Sequence, residues 1–574
     1  MVTLTIDKRK VTVPEGTTIL EAARAAGVQI PTLCYLNGVS EIGACRICCV
    51  EVEGAEQLAA ACDTPAAEGM VIRTNSLLVR EARETNLRLL LSQHRVSCPT
   101  CTRNGNCTLQ TLCADHNLSD ELYEKQLRDA APDRTAPIIR HDDRCVNCLR
   151  CIQICDKVQS MGVWDLLGSG SRTGVGIKKA KRLADTDCTF CGQCVTHCPV
   201  GALEERDDTR KVYAALADRE KITVVQVAPA VRAAWAEYYG MPADAVTTKQ
   251  MVTALKETGF DYVFDTNFTA DLTIMEEGSE FLQRFTHRSE YSWPMFTSCC
   301  PGWVRFVKHE YPELCGHLST AKSPQQMFGT VAKSYFAEKI GKDPADIFCI
   351  SVMPCSSKKY ECDVKELNAA SDKDVDLVLT TREFGRMIKA AGIDAAALPE
   401  RDFDSPLGTG SGAAVIFGAT GGVMEAALRS AHFLITGRNP DADAFRVVRG
   451  TENSGIREAE IEIGGAKVRA AVASGLANAR ILCEEVRSGK APYDFIEIMA
   501  CPGGCAGGGG QPIVPGEEPA AERGSRLYEL DAANALRFSH ENPEVQALYR
   551  DYLEKPLSHR AHELLHTEQS EWTL

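Results

Sequence analysis

The chain has 574 residues, 26 of them cysteine, and its 63 Lys and Arg against 78 Asp and Glu leave a formal net charge of −15. That acidic balance argues against wholesale nucleic-acid binding, and a chain of this length can build several cores without the disulfide scaffold of a small secreted domain. The N-terminal MVTLTIDKRKVTVPEG has no apolar h-region or twin arginine and no apolar run reaches membrane-spanning length, so the chain reads as soluble and cytoplasmic.

Val2, Leu4 and Ile6 alternate with Thr3, Thr5 and Asp7, and Val11 and Val13 follow a short turn, which is the pattern of a hairpin. Thr18 and Glu21 form a capping-box pattern before a helical face of Ile19, Ala22, Ala23 and Ala26, and Gly27 is placed to end it. Cys34, Cys45, Cys48 and Cys62 follow as C-x10-C-x2-C-x13-C. The first gap is longer than the plant-type spacing, so the set favours a [2Fe–2S] cluster over zinc without forcing it. Cys49 reads as a packed bystander.

Residues 79–119 look mostly helical and carry His94, Cys98, Cys101 and Cys107, one imidazole and three thiols able to close a four-coordinate site. Spacing alone favours zinc there at least as much as iron–sulfur, and Cys113 is a spare candidate. The next segment is more specific. Cys145, Cys148, Cys151 and Cys155 give C-x2-C-x2-C-x3-C, and Cys188, Cys191, Cys194 and Cys198 repeat it with Pro199, the terminal proline of the bacterial ferredoxin run. In such a pair the fourth cysteine of each run serves the other cluster. Cys198 is thus expected with Cys145, Cys148 and Cys151, and Cys155 with Cys188, Cys191 and Cys194.

From about residue 209 the pattern alternates strand and helix: KITVVQVAP before AVRAAWAEYYG, then FDYVFDTN, then VDLVLTT before REFGRMIKAAG. This predicts an α/β domain with largely parallel sheets covered by helices. Four cysteines spread through it, Cys300, Cys355, Cys501 and Cys505, sit in PMFTSCCPGWV, CISVMPCSSKKYE and FIEIMACPGGCAGGGGQP, each after an apolar strand-like run. A strand followed by a small-residue turn delivers side chains to one crevice at the strand ends, and four thiolates there suit a soft metal or an iron–sulfur cluster. In the final segment a helix is expected to start at Asn542 and Pro543, with Val545, Leu548, Tyr549 and Tyr552 on one side, as an amphipathic belt around the preceding domain. His562, Glu563 and His566 spell H-E-x-x-H, but no third zinc ligand is suggested nearby, and capping and surface packing explain them better.

TSCCPGWV, MPCSSKKYE and MACPGGCAGGGGQP, in that order behind a ferredoxin array, resemble the three signature motifs of the [FeFe]-hydrogenases, and over the whole chain the resemblance is to the monomeric clostridial type. It implies a multidomain α/β and α+β protein. The expected parts are a β-grasp [2Fe–2S] ferredoxin-like domain over 1–78, a small helical His/Cys3 [4Fe–4S] domain over 79–119, a 2[4Fe–4S] ferredoxin-like domain over 120–208, an H-cluster domain over 209–519, and a small-subunit-like helical belt over 520–574. The cofactors implied are one [2Fe–2S] cluster, three accessory [4Fe–4S] clusters and the H-cluster, a [4Fe–4S] cube joined through one cysteine sulfur to a two-iron unit with CO, cyanide and azadithiolate.

Carried over by position, the resemblance makes Cys300, Cys355, Cys501 and Cys505 the ligands of the cube, with Cys505 the bridge. Gly507 to Gly510 would let backbone approach the cluster, and Lys358 would donate a charged hydrogen bond to a cyanide, while Lys359 fits a surface lysine. Pro229, Ala230, Gln325, Met353, Pro354, Phe417 and Met499 would shape the pocket, Ala230 standing where the family often has serine. Cys299 would be the first proton carrier, since a thiol with a reference pKa near ~8.5 exchanges protons near neutral pH. Glu277, Ser319, Glu280 and Arg284 would continue the path, the two glutamates and the arginine falling on one helix face.

The implied activity is reversible hydrogen oxidation and proton reduction, with electrons exchanged with a ferredoxin or flavodoxin, maturases supplying the two-iron unit, and a monomeric chain. The rival is a non-catalytic iron–sulfur relay similar to a subunit of respiratory complex I, in which TSCCPGWV and CPGGC would have no purpose. Cys315, Cys349, Cys362 and Cys483 receive no role.

Overall fold

Val2–Ile6 (β1) pairs antiparallel with Arg9–Val13 (β2), Val2 opposite Val13, because residues two apart share a face and only one face of this hairpin is apolar. Asp7 and Lys8, at φ 44° and 68°, make its two-residue turn. Cys49–Val52 (β3), Ala59–Ala60 (β4) and Val71–Arg73 (β5) complete a sheet of order β2-β1-β5-β3-β4, with β5 parallel to β1 and antiparallel to β3. The helix Ile19–Ala25 buries Ile19, Leu20, Ala22 and Ala23 in one core with Leu4, Ile6, Val50 and Ile72. Thr18 caps it by accepting from the Glu21 amide, but the reciprocal half of the expected capping box is not formed, because Arg24 and Tyr35 take the Glu21 carboxylate at 2.7 and 2.5 Å.

The computed structural model describes residues 1–118, 122–128, 131–179, 182–449 and 455–569, so the boundary expected at 119–120 lies outside the described residues. The chain forms two compact units, the first from Met1–Thr186, Gln193–Glu204 and Val514–Glu517, the second from Asp187–Gly192, Glu205–Ile513 and Glu518–Leu574. In the first, the helix Leu77–Ser92 begins just before the boundary expected at 78. Its buried Arg83 donates to the carbonyls of Ile47, Cys49 and Thr74, which ties the helix to the sheet.

The second unit holds two sheets. In the first, Tyr262–Asp265, Ile222–Val227, Ile347–Met353 and Leu377–Thr380 lie side by side, all parallel. In the second, Met295–Phe296, Phe495–Met499 and Ala466–Ser474 are parallel neighbours, and Ile456–Ile463 adds antiparallel at the edge. The chain leaves Ile222–Val227 toward one neighbour, Tyr262–Asp265, and reaches the other, Ile347–Met353, later. The carboxyl ends of Ile222–Val227 and Ile347–Met353 therefore flank a topological switch point, where open α/β sheets place ligands.

AVRAAWAEYYG departs from the expected helix and forms two 3-10 stretches, Pro229–Ala233 and Trp235–Tyr239. The Pro229 carbonyl accepts from the Arg232 side chain at 3.0 Å, and Arg232 also reaches Asp265. The crossover helix is Thr248–Glu257, capped by Thr247 and Gln250.

The helices Ala520–Ala533, Pro543–Leu548 and His559–Leu565 follow, and Asn542 caps the second as expected. Val545, Leu548, Tyr549, Leu553, Ala561 and Leu565 enter the same core as Phe264, Phe328 and Phe336, with Tyr552 at its margin. Each of the Val, Leu and Phe side chains among them contributes about 1.5–3 kcal/mol by leaving water. Among the described residues, no helix is long and apolar enough to cross a membrane.

Lys359 corrects the expectation of a surface lysine. It is fully buried, with Nζ 2.9 Å from Asp208, 3.0 Å from Glu383 and 2.7 Å from the Val378 carbonyl. The short helix Ser357–Glu361 turns adjacent residues to different sides, Lys358 toward a cavity and Lys359 toward these acids.

Candidate active site

The carboxyl ends of strands from both sheets meet around a cavity of about 70 Å³. Ile222–Val227 leads into Pro229 and Ala230, Ile347–Met353 into Pro354 and Cys355, Met295–Phe296 into Cys299 and Cys300, and Phe495–Met499 into Cys501 and Cys505. All seven expected pocket residues, Pro229, Ala230, Gln325, Met353, Pro354, Phe417 and Met499, line this cavity, together with Cys299, Cys300, Cys355, Cys505 and Lys358. Cys501 is not on its wall, yet its thiol lies in the field of Cys355, Cys300 and Cys505.

Burial pushes all four expected ligand thiols up, Cys505 to about 12. Thiolates here are costly unless a cationic group accompanies them. Cys300 is the best prepared, at the N-terminus of the helix Pro301–Glu310 and facing the amides of Gly302, Trp303 and Ala500. Among the described residues no three such side chains come close enough to hold a single metal ion, so cysteines spread around one cavity fit a multi-iron cluster better.

Lys358 Nζ donates to Glu361 at 2.8 Å and to the Cys299 carbonyl at 3.2 Å. Burial pulls its pKa down, but the Glu361 carboxylate, foremost of the groups beside it, offsets that, and the pKa is raised above the ordinary lysine value. Sequence reasoning missed Glu361, although its i,i+3 spacing from Lys358 was a signal. Gln325 Nε2 bonds the same carboxylate at 3.0 Å, and its Oε1 is buried without a partner among the described residues. The glycines after Cys505 also let one backbone approach another. A Cβ at Gly508 would stand 2.1 Å from the Pro354 carbonyl oxygen and one at Gly509 2.2 Å from that of Cys191, so it is backbone-on-backbone packing of the motifs that requires them.

Of the expected proton path, Ser319, Glu280 and Arg284 are joined directly. The Ser319 hydroxyl donates to Glu280 at 2.7 Å and Arg284 donates to it at 2.6 Å, on the helix Thr266–Thr286. Glu277 lies on the same helix, fully buried, with neither carboxyl oxygen hydrogen-bonded among the described residues. Burial first, and then the Glu280 charge, push it up to about 8; Ser319 and the Ser298 amide oppose this without reaching bonding geometry. Cys299 is not bonded into the set. Burial, then Glu277, raise its pKa well above the ordinary thiol value, which favours the protonated thiol.

In the first unit, Cys34 approaches Cys45 and Cys62, and Cys48 approaches Cys62, within hydrogen-bonding reach. The Cys49 thiol instead faces the Val79 carbonyl at 3.9 Å. Cys145, Cys148, Cys151 and Cys198 line one small cavity of about 20 Å³, which brings the last cysteine of the second run to the first three of the first. Cys107 lies in the field of Cys101, and Cys113 in that of Cys107 and Cys98. His94 Nδ1 is 2.8 Å from the Arg144 carbonyl, which fixes the proton on Nδ1 and leaves Nε2 its lone pair, and burial lowers its pKa toward the neutral, ligating form.

The second run is divided, with Cys194 and Cys198 in the first unit and Cys188 and Cys191 in the second. There the hexapeptide Asp187–Gly192 is held by side chains the sequence did not single out. Arg305 donates to the Cys188 carbonyl at 2.8 Å and lies over Phe190 and Tyr360, Ser356 donates to Phe190 O at 2.7 Å, and Ser357 donates to Thr189 O. The Cys501 thiol sits 3.7 Å from the Cys191 carbonyl. H-E-x-x-H is no zinc site here: exposed Glu563 pairs with His559 at 3.5 Å, and both His566 nitrogens are engaged, by Thr320 and Glu276.

Residues 221–509 match the family model "Iron only hydrogenase large subunit, C-terminal domain", and 517–569 match "Iron hydrogenase small subunit". Ahead of them, 1–76 match a 2Fe-2S iron-sulfur cluster binding domain, 83–121 the NADH-ubiquinone oxidoreductase-G iron-sulfur binding region, and 136–204 the ferredoxin-like domain of NADH-quinone oxidoreductase subunit 3. The chain is 47% identical to the NADP-reducing hydrogenase subunit HndD of Solidesulfovibrio fructosivorans, covering 99% of this chain and 98% of that one. It is 41% identical to iron hydrogenase 1 of Clostridium pasteurianum, over 99% of both. A solved structure of apo [FeFe]-hydrogenase from Chlamydomonas reinhardtii is similar at TM-score 0.57 and 43% identity, covering 63% of this chain and 98% of that one.

Proposed function

We propose, given that this chain belongs to the iron-only hydrogenase family, that it performs reversible hydrogen oxidation and proton reduction at an H-cluster held in the cavity at the strand ends. It is an oxidoreductase acting on hydrogen, with iron–sulfur domains ahead of the catalytic one. The observation that carries the reading is the meeting of Cys300, Cys355, Cys505 and charged Lys358 on one apolar cavity wall, with Cys501 behind it. When bound, the H-cluster supplies the heterolytic cleavage and formation of hydrogen.

The chain's own residues then have distinct tasks. Cys300, Cys355, Cys501 and Cys505 would hold the cluster, and Lys358, kept charged by Glu361, would offer a donor to an anionic ligand. Pro229, Ala230, Gln325, Met353, Pro354, Phe417 and Met499 exclude water. Cys299 passes protons as a thiol that accepts and gives in one motion, and Glu277, Ser319, Glu280 and Arg284 carry them outward, with water bridging the unbonded gaps.

We assign one [2Fe–2S] cluster to Cys34, Cys45, Cys48 and Cys62 on a β-grasp sheet, and three accessory [4Fe–4S] clusters: one on His94, Cys98, Cys101 and Cys107, one on Cys145, Cys148, Cys151 and Cys198, and one on Cys155, Cys188, Cys191 and Cys194. The five-part division at 78, 119, 208 and 519, with the last part a small-subunit-like belt, goes with this reading, as do dependence on maturases and a monomeric chain. Ferredoxin or flavodoxin is the electron partner we favour. A partner subunit serving NADP is the second reading, prompted by the name of the Solidesulfovibrio relative. Hydrogen-driven reduction of purified ferredoxin by the isolated chain would favour the first.

The test is expression with and without the maturases. Without them we expect a brown protein containing accessory clusters and the cube, no CO or cyanide infrared bands, and no hydrogen evolution from reduced viologen; with them, all three appear. Full activity in the preparation lacking maturases would sink the assignment.

A further inference from the structure

We propose that Glu280 has a second proton outlet, through the Thr320 hydroxyl to His566, beside the one at Arg284. Glu280 Oε1 lies 3.1 Å from Thr320 Oγ1, and Thr320 Oγ1 lies 2.8 Å from His566 Nδ1. His566 Nε2 lies 3.0 Å from Glu276 Oε2. Glu276 is fully buried and accepts from the Tyr549 hydroxyl at 2.5 Å and the Leu557 amide at 2.9 Å. His566, Tyr549 and Leu557 all come from the C-terminal segment, and the exposed His562 ring stands 4.4 Å from that of buried His566.

The proton count makes the connection more than a contact. Thr320 has one hydroxyl proton for two neighbours, so two arrangements are fully bonded. In one, His566 is neutral, Nε2–H donates to Glu276, and Nδ1 accepts from Thr320. In the other, His566 is an imidazolium donating to both Glu276 and Thr320, while Thr320 donates to Glu280. The step between them is balanced: protonated Glu280 gives its proton to the Thr320 oxygen as the Thr320 proton passes to Nδ1, leaving a carboxylate and an imidazolium. The Glu276 carboxylate offsets the new positive charge, which otherwise would be costly in a buried site. Release to water past His562 and rotation of the hydroxyl reset the branch.

The charged and titratable groups facing His566 are Glu276 and Glu280, with Arg284 behind Glu280, on the helix Thr266–Thr286. From its own segment comes His562, which in turn lies in the field of Glu568. Lys322 Nζ bonds the Leu564 carbonyl at 2.7 Å, and Tyr549 faces the branch through Glu276.

This inference rests on the relay reading of Glu280, and the test separates the two. In the full-length matured enzyme, Thr320→Val removes the hydroxyl while keeping the Thr320 amide on Glu280 and the packing of the C-terminal segment. We expect about a 3-fold loss of turnover from Thr320→Val, recovery with Thr320→Ser, and a loss in the double variant Thr320→Val with Arg284→Gln that exceeds the product of the single losses, the signature of parallel exits. Nitrogen-15 NMR of histidine-labelled full-length protein gives a readout independent of turnover: the pH at which His566 titrates should move in Thr320→Val and return in Thr320→Ser. Losses that multiply, with an unmoved His566 titration, would overturn the branch alone. Unimpaired turnover in Glu280→Gln would overturn the relay and the branch with it.

Discussion

Glu277 shows how one buried carboxyl links proton traffic to stability. Raised from 4.5 to about 8, it favours its protonated form by on the order of 5 kcal/mol. Between those values the folded chain binds a proton that the unfolded chain has released, so this group's contribution falls as pH rises through that window and is fully lost above about 8. Hydrogen evolution should decline over the upper part of the same range, as the neutral acid able to hand on a proton disappears. Glu277→Gln should lower turnover by about 10²-fold while raising the melting temperature at pH 9 relative to wild type, measured by hydrogen evolution and thermal unfolding. A pH–rate profile with no limb near 8 would count against Glu277. Its neighbour across the path gives a second check, because Cys299 and Cys300 are adjacent but differ in task. Cys299→Ala should leave every cluster bound and the infrared bands normal yet cost about 10²-fold in turnover, whereas Cys300→Ser should disturb the cube, oxygen being a harder ligand than sulfur. Wild-type turnover in Cys299→Ala, in both directions, would move the proton exit elsewhere.

At the scale of elements, the short helix Ser357–Glu361 sends Lys358 to the cavity and Lys359 into a buried pair with Asp208 and Glu383. Lys359→Met would leave two buried carboxylates short of their cation and should destabilise the second unit by about 3–5 kcal/mol, seen as a lowered denaturation midpoint; an unchanged midpoint would mean that Arg206 and Lys211 suffice for Asp208. This element also marks what the sequence could and could not reveal. Cysteine spacings, the strand-turn motifs and the helical stripe of Glu277, Glu280 and Arg284 were legible because each is set by local periodicity. The burial of Lys359 was not, since Asp208 is 151 residues away, nor was the link between Glu276 and Tyr549, 273 residues apart. AVRAAWAEYYG misled for a related reason: its helical composition yields to Arg232, which is drawn to its own Pro229 carbonyl and to Asp265.

Across the whole molecule, the cysteine groups of the first unit precede a catalytic unit with its own thiol-lined cavity, and iron content is the quantity that tests the arrangement. If His94 with Cys98, Cys101 and Cys107 holds a cluster, His94→Ala should remove or convert that cluster alone, with the iron count falling and the infrared bands of the catalytic centre retained. Stoichiometric zinc in anaerobically prepared wild type, with no change of iron in the variant, would reassign the site. The hexapeptide Asp187–Gly192 bears on a different matter, the portability of the parts. By sequence it belongs to a ferredoxin run, yet it is an integral piece of the second unit, supplying acceptors to Arg305, Ser356 and Ser357. A chain trimmed to begin at 205 would strand those three buried donors, at about 1–3 kcal/mol each. Seams in the gene and seams in the molecule thus fall at different places, and a foreign electron-carrying module grafted onto this catalyst would have to bring a matching hexapeptide with it.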